Sequence, residues 1–334
     1  MKPPEHILLS RTDSIGDVMV TLPMAGLLKQ RFPGVRITFL GRSYTAPVLK
    51  HCHHVDRVLD LDVLEHYGAE AAALELRKLH IDTVLHVFPR RSVAAWCKHA
   101  GIPRRIGTAH RWWHWLTCTD RPRFSRRRST LHEAQLNLKL LAPLGIHDTP
   151  SLQELAALSG FRAPDPDADT AAFLRPDRTR VVLHTLSRGS AVEWGMERFA
   201  ALIHALDPER YQVVLTGTPA EAERYRRALP VHLPHVTDVG GRVDLERLVA
   251  LIGGCHALVA ASTGPLHIAA AAGIRAIGLY ADTPPIHPGR WAPLGSDVHV
   301  LLAPPDQRGT DPLAQVQAIT PAQVLALLET LPQR

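Results

Sequence analysis

The sequence predicts an α/β protein built as two doubly wound halves, each a parallel sheet between helices. Three observations carry that prediction. Short β-branched or leucine-rich runs alternate with helical patterns in the first half, the same alternation restarts near residue 180, and linker-like composition separates the two. At 334 residues the chain also exceeds the usual size of one hydrophobic core.

The first strand is expected over residues 6–10, followed by a turn containing Gly16 and a helical pattern over 18–32 that Pro33-Gly34 stops. Further strands are expected at 36–40, 57–61 and 83–87. The second half predicts strands at 180–185, 211–216, 257–261 and 276–280, with helices at 197–206, 221–228 and 244–253. Between them, Ala163-Pro164-Asp165-Pro166-Asp167-Ala168-Asp169 is rich in Pro and Asp and poor in large apolar groups, so the boundary is drawn near residue 165. A C-terminal helix over 321–331 is read as one that can pack back on the first domain.

Composition narrows the class. With 46% apolar and 21% charged residues the chain reads as soluble and globular. Lys and Arg number 38 against 32 acids, a net charge of +6 that favours anionic partners without choosing among phosphorylated lipids, nucleotides and nucleic acid. The first apolar run, Ile7-Leu8-Leu9, is too short for a secretory signal, and the stretch 268–281 is too short for a membrane span. The four cysteines form no CxxC pair, so reduced thiols in the cytoplasm are expected. His51-Cys52-His53-His54 offers four metal-ligand types, but adjacent residues do not easily converge on one ion; a polar loop is the favoured reading.

Motifs that would settle other chemistries are missing. There is no GxGxxG after a strand, no GxxxxGK[ST], no GxSxG and no HExxH. Nucleotide-sugar transferases and epimerases then lead, and fold alone does not separate them.

Two blocks go further. The first is Ile7-Leu8-Leu9-Ser10-Arg11-Thr12-Asp13-Ser14-Ile15-Gly16-Asp17-Val18 with Thr21-Leu22-Pro23; the second is Ser262-Thr263-Gly264-Pro265-Leu266-His267-Ile268-Ala269-Ala270-Ala271. In order and separation they resemble the bacterial heptosyltransferase family, glycosyltransferase family 9, which builds the lipopolysaccharide inner core from ADP-heptose. The resemblance implies a GT-B architecture: two Rossmann-like domains facing a cleft, with acceptor binding in 1–165 and nucleotide-sugar binding in 166–334. It also implies inversion at the anomeric carbon, with Asp17 as catalytic base and Gly16 giving the backbone close approach to substrate.

On the residues alone Asp17 reads equally as a helix N-cap or first-turn acid, and Asp13 is its local rival. On the donor side the resemblance implies contacts from Ser262, Thr263, Gly264, His267, Glu221 and Val243. Thr263 and Gly264 open a helix whose dipole favours phosphate, although an N-cap before a buried Ala-rich helix reads the same way. Glu221 also reads as an exposed first-turn acid. Two positions depart from the family pattern. Val192 and Gly195 flank Trp194 where the family has Lys before Trp-Pro, which leaves Arg188 as the expected phosphate partner, and Ser262 replaces an Asp.

Residues 104–128 hold eight arginines interleaved with Trp112, Trp113 and Trp115. The pattern suits nucleic acid, a membrane-facing loop that meets a phosphorylated glycolipid, or a solvated basic face. The resemblance favours the glycolipid, with Arg104, Arg105, Arg111 and Arg123 as acceptor contacts, peripheral contact at the inner face of the inner membrane, and no nucleic acid. Asp60-Leu61-Asp62 and Asp165-Pro166-Asp167 contain Asp-x-Asp, but neither sits where this family's pattern would use it. No obligatory metal and no cofactor besides the nucleotide-sugar substrate are expected. A nucleotide-sugar epimerase and a non-catalytic glycan-binding protein stand as alternatives.

Overall fold

The computed structural model describes residues 2–187 and 189–331. The chain divides into two compact units, Met1–Arg162 and Ala163–Arg334.

The first unit is a five-stranded, all-parallel sheet. Its strands are β1 (His6–Ser10), β2 (Arg36–Gly41), β3 (Arg57–Asp60), β4 (Thr83–His86) and β5 (Arg104–Gly107), in spatial order β3-β2-β1-β4-β5. β1 is buried along its whole length, as a central parallel strand covered on both faces must be. The Asp82 carboxylate fixes its entry by accepting from the backbone N–H groups of Glu5 and His6 at 2.7 and 2.8 Å. Leu8, Leu40, Leu76, Val84, Val93 and Trp96 fill one side of the sheet.

The helix expected over 18–32 is two helices, Ile15–Met19 and Leu22–Arg31. Pro23 has no N–H to continue the first ladder and is well placed in the opening turn of the second. Asn137 holds the break by donating to the Thr21 hydroxyl at 3.1 Å, and that hydroxyl donates to the Asp17 carbonyl at 2.8 Å. Leu61 is not the last residue of a strand: Asp60 ends β3 and caps the helix Leu61–Tyr67. The start of the basic segment is likewise not loop but the edge strand β5.

The second unit is a six-stranded parallel sheet of β6 (Thr179–His184), β7 (Tyr211–Thr216), β8 (Val236–Asp238), β9 (Ala257–Ala261), β10 (Arg275–Leu279) and β11 (Val298–Leu301), in order β11-β10-β9-β6-β7-β8. Its core gathers Val181, Leu183, Trp194, Phe199, Leu202 and Tyr211 with Val324 and Leu328 of the C-terminal helix Pro321–Glu329. That helix therefore packs into the core of the second unit. Its apolar stripe covers the helix Met196–Ala205, and the Trp194 indole donates to the Ile319 carbonyl at 2.8 Å.

In both sheets the chain reverses its direction of winding once, between β1 and β4 and between β6 and β9. Such switch points are where open parallel sheets take their ligands, beyond the carboxyl ends of the strands. Among the described residues no helix is long and apolar enough to cross a membrane.

Candidate active site

At the first switch point, β1 runs directly into Arg11, whose side chain is buried. Its guanidinium fans out over three carboxylates. Nε donates to Asp13 at 2.7 Å, one terminal nitrogen bonds Asp17, and the other reaches Glu133 and Asn137 at 3.4 Å each. Ser14 is the N-cap residue of the helix Ile15–Met19, but its hydroxyl donates to the second Asp17 oxygen at 2.5 Å instead of capping the backbone. Asp17 is thus a first-turn residue with both oxygens held, and its side chain keeps 18% exposure, enough to be reached from solvent. Gly16 has helical backbone with no left-handed φ, so it contributes smallness beside Asp17 and not a special turn.

Asp13 sits on the same guanidinium. Burial, with Asp17's charge adding to it, outweighs Arg11 and pushes the Asp13 carboxyl up to about 6. Glu133 is buried and shared: Arg126 bonds the same oxygen that faces Arg11, and also Asn137 at 3.1 Å. Glu133, Asn137 and Arg126 are more than a hundred residues from Asp17, and no local motif announces them.

His86 closes β4 beside Ser10 of β1. It is buried, its ring stacks on His114 at 5.6 Å, and burial pushes it down to about 3, so the imidazole is neutral. Neither of its ring nitrogens, nor the hydroxyls of Ser10 and Thr12, has a hydrogen-bond partner among the described residues. A histidine at the carboxyl end of a short buried strand was the available signal for His86, and sequence reasoning passed over it.

The basic segment separates into two sets. Arg111 and Arg123 are exposed. Arg104 and Arg105 are half-buried and spend donors on the carbonyls of Pro143, Ile102 and, at 2.6 Å, Thr117. Arg104 also faces Asp120 at 3.5 Å.

At the second switch point, β9 leads into Ser262 and Thr263, and Gly264 opens the helix Gly264–Ala271. Thr263 is the N-cap residue and is buried, yet its hydroxyl caps nothing and has no partner among the described residues. Thr185, one residue beyond β6 on the neighbouring strand, has a buried, unpartnered hydroxyl too; sequence reasoning missed it. His267, one turn into the helix, is buried. Ser262 is half-buried, and the hydroxyl of the buried Tyr280, just beyond the neighbouring strand β10, donates to the Trp291 carbonyl at 2.9 Å.

Glu221 is not an exposed acid. It is buried in the first turn of the helix Pro219–Arg226, and one oxygen accepts from the backbone N–H and hydroxyl of Thr218 at 2.7 and 2.8 Å. Its charge is felt by His184, which closes β6 and bonds Thr216 at 3.0 Å; burial still holds that imidazole below its ordinary range. Glu221 is therefore drawn towards the switch point, whereas Val243 stands further out, half-buried in the loop after β8. Arg188 lies outside the described residues; Val192 packs against the second core.

Of the two further motifs, Asp60 and Asp167 are helix N-caps accepting from Asp62 and Thr170 at 2.8 Å each. In the His-Cys-His-His run, Cys52 is buried with its thiol on the Ser159 carbonyl at 3.3 Å. Among the described residues no three His, Cys, Asp or Glu side chains group as metal ligands.

Comparison with known proteins bears on these two ends. The profile of glycosyltransferase family 9 (heptosyltransferase) matches residues 71–315. A Haemophilus influenzae protein named provisionally as a glycosyltransferase is 28% identical over 311 residues, covering 90% of each chain. The lipopolysaccharide heptosyltransferase 3 of Escherichia coli is 24% identical over 292 residues, covering 83% of this chain and 84% of its own. The structure of the E. coli ADP-heptose lipopolysaccharide heptosyltransferase II superposes with a TM-score of 0.74 at 21% identity, covering 97% of each chain. That likeness spans both α/β units, in line with the fold class expected from the sequence.

Proposed function

The chain belongs to glycosyltransferase family 9, the heptosyltransferase family, and from that premise we propose that it moves a heptose-like sugar from ADP-heptose to a lipopolysaccharide core or related glycan, with inversion. The donor and acceptor classes are those in the names of its E. coli relatives. A cytoplasmic site of action, with peripheral contact at the inner face of the inner membrane, goes with this reading.

In the proposed step an acceptor hydroxyl oxygen attacks the anomeric carbon on the face opposite the diphosphate. The bond from that carbon to the diphosphate oxygen breaks, ADP leaves with the electron pair, and the hydroxyl proton passes to Asp17. Arg11 and Ser14 fix the carboxylate, so little reorganisation is needed as the proton arrives. In the second unit the N-terminus of the helix at Gly264 and the unpartnered Thr263 hydroxyl suit the departing diphosphate, with Arg188 assigned to the same anion. No metal is assigned a role. Glu221, Val243, Ser262 and His267 are assigned to the nucleoside and sugar. Arg104, Arg105, Arg111 and Arg123 are assigned to the anionic acceptor; Arg111 and Arg123 are exposed, whereas Arg104 and Arg105 already spend donors on backbone carbonyls.

The observation that carries the reading is the Asp17 carboxylate, held at both oxygens beyond the carboxyl end of β1. Asp17→Asn keeps the shape and removes the base. Turnover should fall about a hundredfold or more, while calorimetric ADP affinity stays unchanged. Full turnover in this variant would remove Asp17 from the mechanism.

A further inference from the structure

One surface feature is not used by the transfer reaction. The turn of helix His114–Thr117, with the residues just before it, carries Trp112, Trp115 and Leu116, which are 59%, 52% and 65% exposed. Backbone bonds from Trp115 to Trp112, and from Leu116 and Thr117 to Trp113, give the segment helical spacing. Positions 112, 115 and 116 therefore share one side. The opposite side turns inward: His114 and Cys118 are buried and Trp113 is half-buried. Two indoles and an isobutyl group exposed together call for a covering partner.

Positive charge rings this patch. Arg91 lies over the Trp112 ring at 5.0 Å and Arg121 over the Trp115 ring at 4.8 Å. The Lys98 ammonium donates to the Leu116 carbonyl at 2.9 Å, and Arg111 is exposed alongside. Residues 104–128 contain eight arginines and a single acid, Asp120.

We infer that the Trp112–Trp115–Leu116 face docks on an anionic lipid bilayer, the three side chains entering the interfacial layer and the surrounding cations meeting headgroup phosphates. This extends the reading above, and rests on it for the place of docking in the reaction. The chemistry fits on three counts. Tryptophan is at home at the depth where hydrocarbon gives way to headgroups. Leucine beside it gains from acyl chains and from nothing polar. Basic side chains near such a surface are drawn to its negative potential. Single-stranded nucleic acid is a poorer fit: base stacking needs open ring faces, and a guanidinium already covers one face of Trp112 and of Trp115. Leu116, the most exposed of the three, offers a base nothing. A second copy of the chain is a poorer fit as well, because two such patches would bring like charges together.

The test is flotation of the full chain with vesicles of phosphatidylcholine alone and of phosphatidylcholine mixed with phosphatidylglycerol. Neither contains lipopolysaccharide or donor, so binding reads the bilayer, and a failed transfer assay would leave the result standing. The protein should float with the anionic vesicles, less so at high salt, and scarcely with the neutral ones, with a blue shift of tryptophan emission. The double variant Trp112→Ala, Leu116→Ser leaves the buried side intact, and its far-ultraviolet dichroism should match the parent. Its partitioning should fall about tenfold or more. Four results would overturn the inference: a parent protein that stays in solution, equal flotation of the variant, binding of a single-stranded oligonucleotide in place of vesicles with the same residue dependence, or a vesicle-inert dimer that the variant dissociates.

Discussion

The Arg11 guanidinium has left water and faces Asp13, Asp17, Glu133 and Asn137, with Arg126 closing the group from the basic segment. A cation this deep is tolerable only because carboxylates surround it, and the arrangement is worth more for orientation than for stability. Three acids against two arginines leave one negative charge in excess, and Asp13 absorbs that excess by holding its proton up to about 6. The sign of the consequence follows directly. An acid whose affinity for protons is higher in the folded chain stabilises the fold below its ordinary carboxylate range, and that contribution is lost as pH rises to about 6. Across that window the first unit should lose on the order of 2 kcal/mol. Asp13→Asn, neutral throughout, should flatten the dependence. Thermal melts of both chains at steps of pH check this, and parallel curves for the two would show that Asp13 does not hold the proton. Asp17 was visible in sequence because Gly-Asp opens a helix straight after a strand. Its supports Glu133, Asn137 and Arg126 were not, because only the folded sheet brings a segment more than a hundred residues away onto Arg11.

The same division between local and long-range information holds for whole elements. β7 and β9 were readable to the residue, since runs such as Tyr-Gln-Val-Val-Leu-Thr have no competing pattern. β5 was hidden because Arg104 and Arg105 make its first half look like solvated loop; the strand exists because its backbone pairs with β4 and the arginine heads find carbonyls. The break at Thr21 was hidden because apolar periodicity runs through it, and Asn137, which secures it, comes from elsewhere. The helix Gly264–Ala271 shows what such a local reading leaves out. Its Ser-Thr-Gly start signals an N-cap, but the Thr263 hydroxyl does not cap; it is buried and unpartnered among the described residues. A cap contributes about 1 kcal/mol to a helix, whereas a buried hydroxyl without a partner contributes nothing and costs its desolvation. Thr263→Val, close in shape, should therefore leave the melting temperature unchanged or raised. If the hydroxyl serves the departing diphosphate, ADP affinity should fall about tenfold, by roughly the 1.5 kcal/mol of one hydrogen bond to a charged group. Calorimetry with ADP and a melt without it separate the two effects. A destabilised variant with unchanged ADP affinity would make Thr263 a structural cap after all.

At the scale of the molecule, each unit has its own sheet, its own core and its own switch point, and the C-terminal helix decides how self-sufficient the second one is. Val324, Leu328 and Leu331 are buried in the same cluster as Phe199 and Leu202. The chain end is also tied by hydrogen bonds: Arg198 to the Gln317 carbonyl at 2.7 Å, Tyr211 to Leu328 at 3.2 Å, and Arg210 to Glu329 and Leu331 at 2.8 and 3.0 Å. Three buried aliphatic side chains at about 2 kcal/mol each come to a large share of a domain's net stability of roughly 5–15 kcal/mol. The segment from Ala163 onward should accordingly fold alone and, if this half holds the proposed donor, bind ADP with an affinity equal to that of the full chain. A hundredfold excess of ADP over its Kd should raise the stability of that segment by about 3 kcal/mol. Ending the chain at Ile319 should abolish both its cooperative melt and the ADP response, and Leu328→Ala, which only opens a cavity, should cost about 2–5 kcal/mol while preserving ADP binding. Dichroism melts of the three chains, with and without ADP, read all of this. A truncated chain that still melts cooperatively would show that the helix merely covers the second core, and that the sheet's own packing between β6 and β9 is enough to shape its switch point.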